Sequence, residues 1–160
     1  MIHYIEQASP LGPLLLAATE RGISGVYFTE HRHFKGPQDW QRTTEHPLLQ
    51  CVATQLEEYF AGQRKEFDIP LDLHGTPFQL SVWQALCGIS FGRTRTYGEH
   101  ARDVGNPKAV RAVGAAIGRN PLSIIVPCHR VMGASRSLTG YAGGLERKRA
   151  LLALEGVTPD

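Results

Sequence analysis

Residues 97–118 read YGEHARDV-GNP-KAVRAVGAAIG, and this stretch sets the expected fold of the second half of the chain. Tyr97 to Val104 has the pattern of a short helix, Gly105-Asn106-Pro107 that of a turn, and Lys108 to Gly118 that of a second helix. Two short helices joined by a tight turn containing glycine make a candidate helix-turn-helix. Many helical hairpins bind no DNA, so this pattern needs support from other features.

The second of these helices is rich in small residues, which would let its backbone approach a partner closely. Close packing in a core would explain the same composition. Arg111 on this helix is the candidate side chain for contacting whatever docks there. The small residues are Ala109, Ala112, Gly114, Ala115 and Ala116.

The distribution of charge favours a polyanionic partner for the second half. Residues 1–76 hold 6 Lys and Arg against 10 Asp and Glu, a net charge of −4. Residues 77–160 hold 11 against 5, a net charge of +6. Ordinary scatter of solvated charges could produce such an asymmetry, so it supports the helix-turn-helix without establishing it.

Further along the chain, Ile124-Ile125-Val126-Pro127-Cys128-His129-Arg130-Val131 places a cysteine directly before a histidine. The β-branched residues Ile124 to Val126 predict a short buried strand, and Pro127 ends it because proline cannot donate to a strand ladder. The neighbouring imidazole and guanidinium groups favour a lowered pKa for the Cys128 thiol and a nucleophilic thiolate. A small buried structural cysteine is an equally strong interpretation of these residues alone.

The C-terminal segment supplies a carboxylate that could act with this pair. Residues 145–155 predict a helix with leucines on its apolar face and the basic residues 147–149 exposed. Glu155 at the helix C-terminus meets an unfavourable dipole, so it needs a partner or solvent. His129 is the expected partner, in a Cys–His–Glu set where the imidazole takes the thiol proton. Because Cys128 and His129 are adjacent, a bridging water between their diverging side chains is expected.

The first half of the chain reads as a small α/β unit. Pro47 opens a predicted helix that ends at Gly62, and Thr76 and Pro77 look like the N-cap and first residue of another. The loop from Thr29 to His46 is polar, and its histidines are interpreted as solvated residues. Strands are expected at residues 2–5, 14–18, 23–28 and 67–71. The loop histidines are His31, His33 and His46.

Bulk properties exclude several classes of protein. With 42% apolar and 20% charged residues, the composition is that of a globular chain and not of a disordered one. No apolar run approaches membrane-spanning length and no signal peptide is evident, so a cytoplasmic protein with no membrane partner is expected. The three cysteines, Cys51, Cys87 and Cys128, are odd in number and far apart, which argues against a disulfide framework and against a structural zinc site.

Several separate motifs also occur in a recognisable order. Asn120-Pro121, Pro127-Cys128-His129-Arg130-Val131 and Gly140-Tyr141-Ala142-Gly143-Gly144 are accompanied by Thr96-Tyr97-Gly98, Arg111-Ala112-Val113-Gly114 and Leu151-Leu152-Ala153-Leu154-Glu155-Gly156. Together they resemble the O6-alkylguanine-DNA alkyltransferases, densely over about residues 77–157 and in general layout before that. The resemblance implies an α+β fold: a small mixed α/β, ribonuclease H-like domain at residues 1–75, then a mainly helical domain with a helix-turn-helix at residues 76–160.

That family resemblance implies direct reversal of DNA damage. Cys128 would attack the alkyl carbon on O6 of guanine, or on O4 of thymine, in double-stranded DNA. The alkyl group would move irreversibly to sulfur, so each molecule would act once. The resemblance further implies no cofactor and a monomer that binds alkylated DNA, with cooperative binding as an option. The zinc ligands that some relatives carry in their N-terminal domains are not recognisable in this sequence, so no metal is expected.

The same resemblance assigns roles to individual residues. His129 would accept the thiol proton through a water, Glu155 would orient His129, Asn120 would hold this network, and Tyr97 would protonate guanine at N3. The target base would be extruded into a pocket while Arg111 enters the vacated stack. The implied DNA-binding residues are Arg111, Ala112, Gly114, Asn106, Ser135 and Arg136, and the implied pocket residues are Tyr141, Ser137, Gly143 and Val131.

Two positions depart from the family pattern. Arg136 stands where relatives usually carry glycine, and with a positive φ it would cost on the order of 1 kcal/mol or rearrange the loop. Arg136 is therefore expected to reshape the substrate loop or to contact phosphate. Ser123 stands where some relatives have a proline that packs against the alkyl group, so the tolerance for bulky adducts stays open.

Three other functions are weighed against repair. A protein of this fold that flags lesions without repairing them would lack the cysteine, and Cys128 is present. A cysteine hydrolase would need an oxyanion hole, for which the sequence has no signal. A plain helix-turn-helix regulator leaves Cys128, His129 and Glu155 unexplained.

Overall fold

The N-terminal half is a four-stranded sheet with one helix packed against it. The computed structural model describes residues 1–29, 34, 36–37 and 39–158. The strands are β1 (His3–Gln7), β2 (Leu14–Ala18), β3 (Ile23–Phe28) and β4 (Gln41–Arg42), and the helix is α1 (Pro47–Phe60). Their order is β3-β2-β1-β4, with β1 and β3 antiparallel to β2 and with β4 parallel to β1. The sheet contains three of the four predicted strands and adds β4 inside the predicted polar loop.

Local sequence explains how this half is held. In the centre of the sheet Leu16 pairs with Ile5 on one side and Val26 on the other, and strand β2 is almost entirely buried. His46 caps α1, because its Nδ1 accepts a hydrogen bond from the Leu49 N–H at 3.3 Å. This loop histidine therefore has a structural role. His31 and His33 lie outside the described residues.

The C-terminal half is mainly helical. Its elements are α2 (Pro77–Leu86), β5 (Arg95–Thr96), α3 (Tyr97–Asp103), α4 (Val110–Gly118), β6 (Val131–Met132) and α5 (Leu145–Leu154), with short 3₁₀ turns at Cys128–Arg130 and Ala134–Arg136. Thr76 is the N-cap of α2, as the sequence pattern predicts, and it forms a capping box with Gln79. Strand β5 pairs in parallel with β6, Arg95 opposite Val131 and Thr96 opposite Met132. This pairing brings the start of α3 beside the segment that follows Cys128.

The predicted strand at Ile124–Val126 is wrong. These residues are buried, yet they form a turn in which Ile124 has a φ of 74°. The Asn120 amide organises the turn, since its Nδ2 donates to the Val126 carbonyl at 2.8 Å and its Oδ1 accepts from the Leu122 N–H at 3.0 Å. A side chain that satisfies these backbone groups takes the place of a strand ladder.

Two further boundaries differ from the sequence prediction. The segment 67–71 is not a strand; only Leu71 forms an isolated bridge, parallel to Ile23. Pro70 has no N–H to continue a ladder, although its carbonyl accepts from the Ile23 N–H at 2.9 Å. Helix α4 begins at Val110 and not at residue 108, because Ala109 still belongs to the turn and donates to the Asn106 carbonyl at 3.0 Å.

Both halves share one hydrophobic core. Buried residues of the sheet, α1, α2, α4 and α5 form a single cluster. The backbone of Val26 on β3 joins the C-terminal half directly, donating to the Pro121 carbonyl at 2.9 Å and accepting from the Ser123 N–H at 3.2 Å. Because the two halves are packed together in this way, a residue of one half can reach a site in the other.

No helix in the described part of the chain is long and apolar enough to cross a membrane.

Candidate active site

Cys128 lies at the wall of a cavity of about 140 Å³. The turn organised by Asn120 precedes it, and its own N–H donates to the Val126 carbonyl at 2.8 Å. The residue is 5% exposed, so its sulfur is reached through this cavity. The cavity is lined by Tyr97, Gly114, Ile117, Gly118, Cys128, Gly140, Tyr141 and Ala142.

The thiol of Cys128 is not activated in the way its sequence neighbours predict. Burial raises its pKa above the usual value, while a hydrogen bond with Asn120 and the charge of Lys148 act against that rise. The predicted lowering of the Cys128 pKa is therefore wrong. The side chains of His129 and Arg130 turn instead toward Glu155. A buried thiol with a raised pKa keeps its proton at neutral pH and needs a base to react.

His129 is fully buried and pairs with Glu155, as the sequence predicts. Its Nε2 lies 2.8 Å from Oε2 of that carboxylate. Burial lowers the pKa of His129, although the hydrogen bond and charge of Glu155 oppose this effect. A carboxylate partner assigns the proton to Nε2, which leaves Nδ1 as an acceptor. Nδ1 has no hydrogen-bond partner among the described residues, so the ring keeps a free acceptor.

Glu155 is the centre of a buried polar network. Its Oε2 accepts from the Tyr59 hydroxyl at 2.6 Å and from Nη2 of Arg130 at 3.0 Å, in addition to His129. Its Oε1 accepts from Nε of Arg130 at 2.8 Å and from the Gly92 N–H at 3.3 Å. Burial acts to raise the pKa of Glu155, but hydrogen bonds from His129 and Arg130 hold it well below its usual range. The carboxylate is therefore ionised and fully hydrogen-bonded.

Two members of this environment were missed by sequence analysis. Tyr59 lies on the buried face of α1, and its periodicity indicates burial without naming a partner in the other half. Lys148 was predicted to be exposed but is fully buried. Arg147, also predicted to be exposed, is partly buried and donates to the Leu11 carbonyl at 2.9 Å, whereas Arg149 is exposed. The basic run does not reveal which cation points inward.

Lys148 joins three segments that surround the thiol. Its Nζ donates to the carbonyls of Val131 at 2.6 Å, Thr139 at 2.7 Å and Gly140 at 3.3 Å. Burial lowers its pKa to about 8, so the ammonium form still dominates at neutral pH. The side chain therefore fastens the loop at 139–140 to β6 and adds a positive charge near Cys128.

We expect Lys148→Met to lower the free energy of unfolding by about 2 kcal/mol and to slow the reaction of Cys128 as a nucleophile about tenfold. Three buried carbonyls would lose their donor, and the thiolate would lose a nearby cation. Denaturant unfolding and single-turnover rates measure the two effects. Arg149→Met, an exposed change on the same helix, is the control. Equal values for both variants would contradict the role given to Lys148.

Tyr97 and Tyr141 are the aromatic residues of the cavity. Burial raises the pKa of Tyr97, with a hydrogen bond from Thr139 acting against the rise. Burial also raises the pKa of Tyr141 well above its ordinary value. Both phenols therefore remain protonated and can donate a hydrogen bond. Val131, Ser137 and Gly143, which were also predicted to line the pocket, are not among the residues that line this cavity.

The helix-turn-helix lies beside the cavity. Asn106, Arg111 and Ala112 are exposed on it, and Gly114 of α4 lines the cavity itself. A second, open hollow of about 520 Å³ adjoins this face. It is lined by Thr96, Tyr97, Gly98, Val110, Gly114 and Ala134, so the cavity and the helix-turn-helix open on the same side.

The loop after β6 has a strained backbone. Ser135 and Arg136 both have a φ of 59°, the left-handed conformation that favours glycine. Each such residue costs on the order of 1 kcal/mol. Nη1 of Arg136 donates to Oγ1 of Thr94 at 2.6 Å, which ties the loop to the segment before β5. Arg136 thus occupies the conformation that a glycine at this position would take without strain.

Metal ligation has no visible basis in the described part of the chain, where no group of three or more His, Cys, Asp or Glu residues is placed to hold an ion. The site is built from a thiol, an imidazole–carboxylate pair and two protonated phenols.

The chain has an α+β fold in which a thiol lies at the wall of a cavity, next to a helix-turn-helix. These features define a class of protein in which a ligand bound by the helix-turn-helix reaches a cysteine. Comparison with known proteins identifies the family. Residues 77–157 match the family described as 6-O-methylguanine DNA methyltransferase, DNA binding domain, and residues 2–73 match its ribonuclease-like domain.

Individual relatives agree over nearly the whole chain. Methylated-DNA–protein-cysteine methyltransferases from Methanosarcina acetivorans and Haemophilus influenzae are 51% and 46% identical, covering 97% and 98% of this chain and 99% and 87% of theirs. A crystal structure of Mycobacterium tuberculosis OGT in complex with DNA superposes with a TM-score of 0.90 at 49% identity, covering 96% of this chain and 93% of that one. The chain belongs to the 6-O-methylguanine DNA methyltransferase family. The predicted family and α+β fold are confirmed.

Proposed function

We propose that this chain repairs double-stranded DNA by moving an alkyl group from O6 of guanine to the sulfur of Cys128. The observation that carries the proposal is a buried thiol at the wall of a cavity that opens beside the helix-turn-helix. The new bond is sulfur to carbon, and the bond broken joins that carbon to O6. The thiol proton leaves through the protein and the guanine takes up a proton in exchange. The same attack applies to O4 of alkylated thymine.

Access to Cys128 requires that the base leave the duplex. A guanine inside the stack cannot reach the sulfur of a residue that is 5% exposed, so it must rotate into the cavity. Arg111, which is exposed near the start of α4, would fill the gap in the stack. Asn106, Ala112, Gly114, Ser135 and Arg136 contact the backbone and groove around it. Damage occurs in any sequence, so phosphate contacts and shape dominate over base readout.

The proton of the Cys128 thiol is passed to His129, which Glu155 holds on the side away from the cavity. Nδ1 of His129 accepts the thiol proton through a bridging water, and Glu155 holds the imidazole by its Nε2–H. Asn120 keeps Cys128 in place through the turn that it organises. Tyr97 retains its proton because burial raises its pKa, so it can donate to N3 of the guanine as negative charge develops there. His129 and Glu155 thus convert the protonated thiol into the attacking thiolate, and Tyr97 assists the departure of guanine.

Once Cys128 is alkylated, the protein can no longer accept an alkyl group. A thioether on Cys128 has no leaving group that water can displace, so the transfer is irreversible and each molecule acts once. The protein acts without a cofactor, as a monomer, in the cytoplasm. A reducing compartment suits the three cysteines, all of which are free in the structure.

The first experiment measures stoichiometry and site. Wild-type protein is incubated with duplex DNA containing O6-methylguanine, and intact mass and peptide mapping follow the methyl group. We expect a gain that saturates at one methyl per molecule, located on Cys128 and absent from Cys51 and Cys87. Repeated turnover would indicate a hydrolytic reaction, and methylation of another cysteine would refute the assignment of Cys128.

A further inference from the structure

A residue of the N-terminal half reaches the proton path. Tyr59, in the last turn of α1, is fully buried and donates its hydroxyl proton to Oε2 of Glu155 at 2.6 Å. That oxygen is the one that pairs with Nε2 of His129 at 2.8 Å. Tyr59 and His129 therefore share one acceptor atom, although 96 residues separate Tyr59 from Glu155.

The ring of Tyr59 is held so that its hydroxyl cannot turn elsewhere. Its centroid lies 5.4 Å from that of Phe60, 5.5 Å from that of Phe67 and 6.2 Å from that of Phe91, two of these contacts being edge-to-face. A phenylalanine at position 59 would keep this aromatic packing. The hydroxyl is thus separable from the ring: the ring fills the core, and the hydroxyl acts on Glu155.

A phenol that donates to a carboxylate draws negative charge away from it. Burial and the charge of Glu155 raise the pKa of Tyr59 far above its ordinary value, so the phenol keeps its proton and remains a donor around neutral pH. The more charge Tyr59 withdraws from Oε2, the less that oxygen stabilises a protonated imidazole on His129.

We propose that Tyr59 is a positioning residue through which the N-terminal half controls how strongly Glu155 holds the His129 imidazole, and thereby the pH range in which the thiol can be deprotonated. The inference rests on the proposed proton path. It gives the N-terminal half a part in the chemistry in addition to its structural one. Tyr59 does not line the cavity, and its hydrogen bond goes to Glu155, so we expect its replacement to leave DNA binding unaffected.

Other groups also act on His129 and remain unchanged when Tyr59 is replaced. Glu155 favours the charged imidazole, whereas the cations disfavour it and burial opposes it most strongly. Because these groups are common to the wild type and a Tyr59 variant, a difference in pH dependence isolates the hydroxyl. The groups are Glu155 at the end of α5, Lys148 within α5, and Arg130 in the 3₁₀ turn.

The test is the pH dependence of methyl transfer to Cys128 at saturating methylated DNA. In Tyr59→Phe we expect the acidic limb of the profile to move upward by about half a pH unit to one unit. The rate below that limb would fall about three- to tenfold, and the alkaline plateau and the DNA dissociation constant would stay within about twofold. Site-specific 3-fluorotyrosine at position 59, a stronger donor, should move the limb in the opposite direction.

Controls separate this effect from a loss of structure. Tyr4→Phe removes a phenol from β1, away from Glu155, and Leu56→Ala weakens the core beneath α1 without touching the network. Both should keep the wild-type pH profile after correction for folded protein. The proposal would be overturned if the acidic limb of the pH–rate profile lay at the same pH in Tyr59→Phe as in the wild type. It would also be overturned if 3-fluorotyrosine at position 59 did not move that limb to lower pH.

One further variant distinguishes this failure from a failure of the proton path. In His129→Gln the acidic limb should disappear together with most of the rate. If the limb persists without the imidazole, the proposed proton path is wrong and the Tyr59 inference falls with it. If the acidic limb disappears in His129→Gln but keeps its wild-type pH in Tyr59→Phe, the proposed proton path is supported and Tyr59 has only a structural role.

Discussion

Cys128→Ser is expected to abolish methyl transfer while leaving the affinity for methylated DNA unchanged. A serine hydroxyl occupies almost the same volume but is a far weaker nucleophile than a thiol and is deprotonated much less readily. The rate of transfer should fall by at least about 10³-fold. Binding should be preserved because the substitution leaves the proposed DNA-binding face around Arg111 and Asn106 untouched.

Measurement needs two assays on the same preparation. Transfer of a radiolabelled methyl group from O6-methylguanine DNA gives the rate, and a gel-shift titration gives the dissociation constant. Cys87→Ser is the matched control, since Cys87 lies away from the cavity that holds Cys128 and should keep the wild-type rate. Continued transfer to Cys128→Ser protein would place the acceptor at another residue.

Glu155→Gln is expected to lower the free energy of unfolding by about 3–5 kcal/mol and the transfer rate by about 10²-fold. The carboxylate accepts from Tyr59, His129, Arg130 and the Gly92 N–H. A neutral amide would leave the guanidinium of Arg130 buried without a counter-charge and would turn N–H groups toward its donors. The imidazole would also lose the acceptor that fixes its tautomer.

Denaturant unfolding and single-turnover kinetics measure these losses, with Glu146→Gln, an exposed change on the same helix, as the control. The pH dependence has a defined sign. Because the folded-state pKa of Glu155 lies below its ordinary value of 4.5, its stabilisation is present above that value and is lost as the pH falls further. Glu155→Gln should lack this part of the acid dependence. A loss of stability below about 1 kcal/mol would show that the network is not the buried charge cluster described above.

Much of the fold could be predicted from local patterns. Three strands of the N-terminal sheet, the Thr76–Pro77 helix start and the two helices around Gly105-Asn106-Pro107 all rest on periodicity, capping and turn chemistry. These signals come from neighbours within a few residues, and such interactions are present in the sequence itself. The order of motifs around Cys128 likewise points to the family that the comparisons confirm.

Predictions failed where burial and long-range pairing decide the outcome. Ile124 to Val126 has strand propensity, yet the Asn120 amide captures the same backbone groups in a turn. Lys148 lies in a run of basic residues, and only the position of the 139–140 loop makes it the buried one. The pKa of Cys128 follows burial and not its charged neighbours, because His129 and Arg130 direct their polar groups to Glu155.

The sequence by itself determined the class of fold, the helix-turn-helix, the cysteine at position 128 and the pairing of His129 with Glu155. Each of these depends on residue type, local spacing or a motif that survives without knowledge of distant contacts. The tertiary structure alone decided that Tyr59 of the first half donates to the same carboxylate and that Lys148 is drawn inside. Tyr59 reaches Glu155 because the two halves close around one core, whereas Lys148 is buried because the loop at 139–140 folds back against β6. In both cases the cost of burying a polar group without a hydrogen bond favours pairing with a partner that is distant in sequence and close in space.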